Sequence, residues 1–277
     1  VNFINNNFIR ILIVLDIVVV IFLIIFNLSP FLTENLYSRG LYPILSLVMG
    51  KITDIVFFSI TELILVSFVL FITVRLIITI YRLVKRHRTF KNVGKHFLKQ
   101  TFILSSLIFI IFYLMWGFNY YRLPMEIKTD TIKVESKIDK KLFNETLSLF
   151  IKKANDLYMS NITRSGYPFD KMNNIINQEL HKTLKNLEAV DINPANKSKV
   201  SLTNLIEFSN SLGVISPFLL ESHISKELIY SELPFILAHE KSHLYGYANE
   251  TEANYIAFIT CINSDNDYLQ YSAYTQI

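Results

Sequence analysis

The stretch Leu233–Asn254, LPFILAHEKSHLYGYANETEAN, decides how the rest of the chain is read. It holds His-Glu-Lys-Ser-His at 239–243, the H-E-x-x-H spacing. Residues four apart on a helix share a face, so His239 and His243 can place two imidazoles on one metal ion. Glu240, one step round, can reach a water on that ion as general base. Pro234 suits a first helical turn, where its missing N–H has no intrahelical partner. Phe235, Ile236, Leu237 and Ala238 make that turn apolar enough to bury. Gly246 stands where the helix should stop in a left-handed cap. Asn249 then reads as an N-cap with Glu252 as its capping-box partner. The expected order is helix, sharp turn, helix.

A zinc site of this kind needs a third protein ligand and leaves a fourth position for water. Glu250 and Glu252 are the candidates. Glu250 is preferred, since it opens the second helix and Asn254, four residues on, is placed to bond a ligating histidine. Glu252 has a competing capping role, and the choice stays open at this point.

With 51% hydrophobic residues in 277, the chain is richer in apolar side chains than a soluble domain. Its one cysteine, Cys261, excludes an internal disulfide framework and a cysteine-rich zinc finger, and reads as a small apolar residue on a buried helix face. The net charge of +4 is unevenly spread: 11 Lys/Arg against 4 Asp/Glu in 1–118, and 16 against 19 in 119–277. The basic excess belongs to the apolar half, so nucleic-acid binding is not implied.

Three runs are long and apolar enough to cross a bilayer: 8–28, 55–80 and 102–118. The first is too long for a cleaved signal peptide and lacks a small-residue cleavage site. Trp116, Tyr120 and Tyr121 suit an interfacial aromatic belt. Residues 81–100 hold 7 Lys/Arg and no acid, which places that loop, and with it the N-terminus, in the cytoplasm. A membrane region, 1–118, would then precede an extracytoplasmic domain, 119–277. Arg75 can snorkel to the inner interface. Asp16 and Glu62 sit deeper in their spans and read as paired carboxyls facing the other spans, although buried membrane charges are also functional candidates.

Beyond the membrane, 139–159 and 168–187 carry apolar residues at helical spacing, the first capped by Asp139, and are expected to pack against the metal helix. Residues 188–204 read as loop. Gly213–Ile229 is the β candidate, a strand able to line the cleft and pair with an extended peptide. His223 within it reads as a surface or edge-strand histidine, with a role at a transition-state oxyanion as the sharper alternative. Tyr245, Tyr247 and Tyr255 follow the metal helix closely, and spacing does not say which phenol points inward. Four N-x-[ST] sequons, at Asn144, Asn161, Asn196 and Asn249, are expected of an Asn-rich chain and carry no weight.

Three separated segments, ENLYSRGLYPILS (34–46), MWGFNYYRLP (115–124) and LPFILAHEKSHLYGYANETEANYIAF (233–258), resemble a bacterial family of uncharacterised multi-span membrane proteins regarded as zinc metallopeptidases from their motif. SDNDYLQYSAY (264–274) is also similar to that family. The resemblance puts its metal motif on His239, Glu240 and His243, and its acidic motif on Glu250, Glu252, Ala253 and Asn254. That acidic motif is also similar to the E-x-x-A-D helix of integral-membrane zinc peptidases, whose first Glu is the third ligand. This favours Glu250, although Asn254 replaces the Asp and the gap after His243 is short.

The expectation is therefore a mainly α chain: a three-span helical anchor and an α+β zincin-like domain. It would be a zinc metallopeptidase of the cytoplasmic membrane, with Zn²⁺ on His239, His243 and Glu250 and with Glu240 as general base. Its partners would be the lipid bilayer and a peptide or protein substrate near the membrane surface. The alternative is a non-catalytic metal-binding envelope scaffold or sensor. An intramembrane protease fits less well, because Leu233–Ala238 is too short an apolar lead.

Overall fold

A computed structural model of the chain describes residues 6–85, 90–125, 139–159, 167–187, 197–203, 206 and 210–276. The first apolar run forms α1 (Asn6–Leu28), followed by a single turn, Pro30–Leu32, which the Ser29 side chain caps and Pro30 opens. A π-helical segment, Thr33–Leu41, leads into α2 (Tyr42–Thr53). The second and third runs are α3 (Ile60–Val84) and α4 (Phe90–Met115). Three helices, Asn6–Leu28, Ile60–Val84 and Lys91–Met115, are long and apolar enough to cross a membrane.

Their ends differ from the hydropathy reading. The second span starts at Ile60 because the Ser59 hydroxyl takes the Glu62 N–H at 2.9 Å, an N-cap that outweighs the apolar character of the residues before it. Glu62 therefore lies in the first turn, not deep in the span. The third span starts earlier than expected and ends at Met115. Much of the basic 81–100 stretch thus continues α3 and α4 as helix.

Leu12, Val19 and Phe26 of α1 pack with Ile103 and Ile110 of α4. Asp16 takes a hydrogen bond of 2.7 Å from Ser106 across that contact, so its carboxyl does face a neighbouring span. In α3 no residue after Glu62 is buried. Arg75 reaches Gln100 of α4 at 3.5 Å.

The rest of the chain forms α5 (Lys140–Met159), α6 (Phe169–Asn186), β1 (Lys199–Val200), β2 (Gly213–Ser216), β3 (Glu221–Ile224), α7 (Leu233–Leu244), α8 (Glu250–Ile262) and α9 (Asp267–Thr275). Asp139 caps α5 through the Lys141 N–H at 2.8 Å. Met172, Ile176, Leu180 and Leu184 of α6 are buried, and Met172 and Ile176 join Leu237 and Ala238 of α7 and Ala257 of α8 in one core. α5 packs chiefly on α9, not on α7. Its Phe150 stacks on Phe258 and Tyr274, so it covers α8 and α9 instead.

The sheet has the order β1-β3-β2, with β1 parallel and β2 antiparallel to β3. What sequence suggested as one β stretch is a hairpin, because Pro217 and the left-handed Leu220 (φ 52°) fold residues 217–220 into a turn. β1 falls in a segment expected to be loop, where two residues give too short a pattern to recognise.

Candidate metal centre

α7 begins as its sequence requires, with Pro234 in the first turn, and ends at Leu244, two residues before Gly246, which adopts φ +82°. A Cβ at Gly246 would also press on Asn119 and Tyr42, each at 2.9 Å. Asn249 then caps α8, its side-chain oxygen taking the Thr251 N–H at 2.8 Å and the Glu252 N–H at 3.4 Å. The turn 245–249 brings the first residue of α8 back over the last turn of α7.

That return brings His239, His243 and Glu250 together, with one ligand atom of each within 4.8 Å of the others. The two imidazole Nε2 atoms are 3.2 Å apart. Glu250 places Oε2 at 3.2 Å from His239 Nε2 and Oε1 at 3.6 Å from His243 Nε2. Donors on a tetrahedral zinc, about 2.0–2.2 Å from the ion, lie roughly 3.3–3.5 Å from one another. The distance between the two imidazole nitrogens, and that from each to its nearer Glu250 oxygen, fall close to this range, the two carboxylate distances being to different oxygens.

The tautomers suit it too. His243 Nδ1–H donates to the Tyr247 carbonyl at 2.6 Å, which turns the Nε2 lone pair toward the cluster. Burial holds the His239 pKa below its usual value, the neighbouring His243 adds to this, and Glu250 and Asn254 only partly offset them. A neutral imidazole is the ligating form. Buried His239 Nδ1 has no hydrogen-bond partner among the described residues, so Asn254 does not seat it as a full bond would.

Glu252 is not a fourth member. Its Oε1 accepts the Met125 N–H at 2.7 Å, across 127 residues of chain, so neither the expected capping box nor ligation occupies it. Glu240 lies on α7 between the two histidines. Burial, and then the charge of Glu250, push its pKa up to about 8. Its carboxyl rests on Gly213 of β2: a Cβ built there would come within 2.6 Å of Glu240 Cγ and Oε1. Lys241, on the opposite side of α7, is fully buried, and burial lowers its pKa to about 7 despite the charge of Asp54.

The last turn of α7 exposes carbonyls that need donors. Trp116 Nε1–H donates to the His243 carbonyl at 3.2 Å, and the Tyr42 and Ser46 hydroxyls donate to that of Leu244 at 2.9 and 3.0 Å. Below them, buried Arg122 grips Glu34 with two nitrogens, at 3.1 and 3.2 Å, while its guanidinium lies 4.1 Å over the Tyr247 ring. Tyr247 is therefore a buried platform, Tyr245 is half-buried and Tyr255 is exposed on α8. Spacing around the motif could not reveal these donors. Their signal lay in the unusual segments 34–46 and 115–124.

His223 belongs to another cluster. It is buried on the central strand, not on an edge, and its Nε2 is 2.7 Å from Ser59 Oγ and 3.6 Å from Glu221. Glu221 receives Lys199 Nζ at 2.6 Å and the N–H groups of Ile60 and Thr61 at 3.2 and 2.7 Å. Burial alone would raise its pKa, but bonds from His223, Lys199 and Thr61 outweigh that and hold it far below the usual carboxylate range. Glu62 in turn accepts the Leu202 N–H at 2.6 Å and the Thr203 hydroxyl at 2.8 Å. Two carboxylates thus fasten the sheet to the first turn of α3. His223 is a buried partner of Ser59 and Glu221 in this cluster, not the surface or edge histidine expected.

No curated protein and no solved structure shows a significant match to the chain. A family model does match, over residues 37–277, and it spans the aromatic donors, the sheet and the whole metal cluster. The chain belongs to that family, described as "Protein of unknown function (DUF3810)".

Proposed function

We propose that this protein is a membrane-anchored zinc metallopeptidase whose zincin-like site lies outside the cytoplasmic membrane. The observation that carries the reading is the meeting of His239, His243 and Glu250, with one ligand atom of each within 4.8 Å of the others, beside a buried carboxyl, Glu240. The cluster offers three ligand side chains among the described residues, as a site with an open water position does, and not the four of a closed structural site. Zinc bound there would lower the pKa of water and polarise a carbonyl. Glu240 accepts the proton of the attacking water and passes it to the leaving amine. β2, the edge strand beside Glu240, gives an extended substrate a backbone to pair with.

Seven Lys/Arg without an acid in 81–100 support an inward-facing loop between α3 and α4, hence a cytoplasmic N-terminus and an extracytoplasmic site. α7, at 12 residues, is too short to span a bilayer, which argues against intramembrane cleavage. The test is metal content with hydrolysis. The purified chain binds one zinc, Glu240→Gln keeps it and loses hydrolysis, and His239→Ala loses both. A chain that takes up no zinc overturns the reading.

A further inference from the structure

We infer, building on the peptidase reading, that the substrate is a polypeptide anchored by a transmembrane helix and cut a few residues beyond that anchor. The first observation is how close the site lies to the spans. Trp116, which bonds the carbonyl of His243 at 3.2 Å, follows directly on Met115, the last residue of α4. One hydrogen bond separates a metal-cluster residue from the end of a spanning helix.

The second observation is the course of β2. Its Gly213 end rests against Glu240. Its other end runs into the turn 217–220, where the Phe218 ring sits 6.3 Å from that of Phe112 in α4. Phe112 is four residues before Trp116, about 6 Å further down the helix. The strand therefore leads from the reacting groups down to the level of the membrane helix. Gly213 to Ser216 covers about 10 Å at strand rise.

The edge of β2 that faces away from β3 can take another strand. Ser225 donates to the Leu212 carbonyl at 2.9 Å, and the register pairs Val214 with His223 and Ser216 with Glu221. Ladder bonds in an antiparallel pair alternate, so the N–H and C=O of Ile215 and the N–H of Gly213 point to the other side. The Gly213 carbonyl is taken by the Ser211 hydroxyl. Among the described residues no strand pairs on that side.

The third observation is the membrane flank below. The sheet is fastened to the start of α3 by Glu221 and Glu62, and its turn touches α4, yet α3 buries nothing after Glu62. Its apolar surface is open to a further helix. Antiparallel pairing is the more stable arrangement, and β2 runs from the site toward the membrane. A partner strand then runs from the membrane toward the site. The anchor lies on the N-terminal side of the cut bond, about three to six residues away at strand rise.

The experiment places the full chain with zinc in liposomes and offers a random 15-residue library in four forms. In these the library follows a single transmembrane helix, precedes one, follows an N-terminal acyl chain, or is free; cut positions are read by mass spectrometry. The library that follows the helix should be cut at least about tenfold faster than the free one, since sharing a membrane raises effective concentration. Its cuts should fall within about six residues of the helix end. Equal cutting of the free library, preference for the library that precedes the helix, faster cutting behind the acyl chain, or evenly spread cuts would overturn the proposal. Zinc-loaded protein that cuts none of the four would overturn the peptidase reading itself, and this inference with it.

Discussion

Gly213→Ala is the sharpest single test of how Glu240 is held. A Cβ at residue 213 would meet Glu240 Cγ and Oε1 at 2.6 Å and Cδ at 2.7 Å. Carbon atoms in contact sit about 3.5–4.0 Å apart, so something must yield by roughly 1 Å. The backbone of residue 213 does not need left-handed φ, and all three nearest atoms belong to one side chain. Glu240 is therefore what moves. The stability cost should fall at the low end of the about 1–3 kcal/mol seen for overpacked sites, and reduced backbone entropy in the unfolded chain offsets part of it. The effect on rate is larger. A 1 Å displacement of a reacting group costs about 100-fold, equivalent to roughly 2.7 kcal/mol of barrier. Zinc content, melting temperature and the split between kcat and KM read the outcome. We expect one zinc, a small change in Tm and a kcat about 100-fold lower. Because both changes act on one carboxyl, Gly213→Ala should add nothing to Glu240→Gln. Unchanged kcat would refute the role given to the Glu240 position, and loss of zinc would show that the contact reaches the ligands.

The remaining expectations concern the supports of the site. Lys199→Met leaves Glu221 buried without its cation, and should cost about 3–5 kcal/mol, read as a lower melting temperature in detergent. Glu221 also sets an acid limit. Its folded pKa is depressed, so its contribution is complete above the unfolded value of 4.5 and fades as pH falls below it; a melting temperature that rises toward acid would contradict this. Arg122→Met leaves the buried Glu34 carboxylate with only the more exposed Arg39 as a cation, at 2.9 Å, and removes the cover of Tyr247; it should cost less than the about 3–5 kcal/mol of a stranded buried charge while leaving hydrolysis measurable at low temperature. Ile215→Pro deletes an N–H on the outer side of β2 without touching the ladder to β3, so it should slow hydrolysis about tenfold or more through KM, with zinc retained.

What could be read in advance, and what could not, follows from how far each interaction reaches along the chain. The spacing of His239 and His243, the stop at Gly246 and the cap at Asn249 are decided within a few residues by helix geometry, and the structure places each where that geometry requires. The spans were legible for the same reason, since 18 apolar residues in a row leave the backbone no partner in lipid except itself. Their ends were not. Ser59 starts α3 five residues later than hydropathy suggests because a single hydroxyl satisfies an N–H there, and that shift alone turns Glu62 from a buried membrane charge into a latch for residues 201–203. The errors at Glu252 and His223 share a cause. Each side chain had a plausible local partner, but each is claimed from far away: Glu252 by Met125, His223 by Ser59 at a separation of 164 residues. Periodicity carries no information about such pairs. The segments 34–46 and 115–124 carried the long-range signal in another form, as aromatic and charged residues beyond what a helix needs; Trp116, expected in an interfacial belt, is instead buried against His243. Trp116, Tyr42, Arg122 and Glu34 prove to be the groups that close the end of the metal helix. The spans and the H-E-x-x-H motif are therefore one construction: the carbonyl of His243 is satisfied by Trp116 just past the end of α4, and that of Leu244 by Tyr42 and Ser46 of α2, so residues 119–277 excised alone would leave the last turn of α7 without its caps.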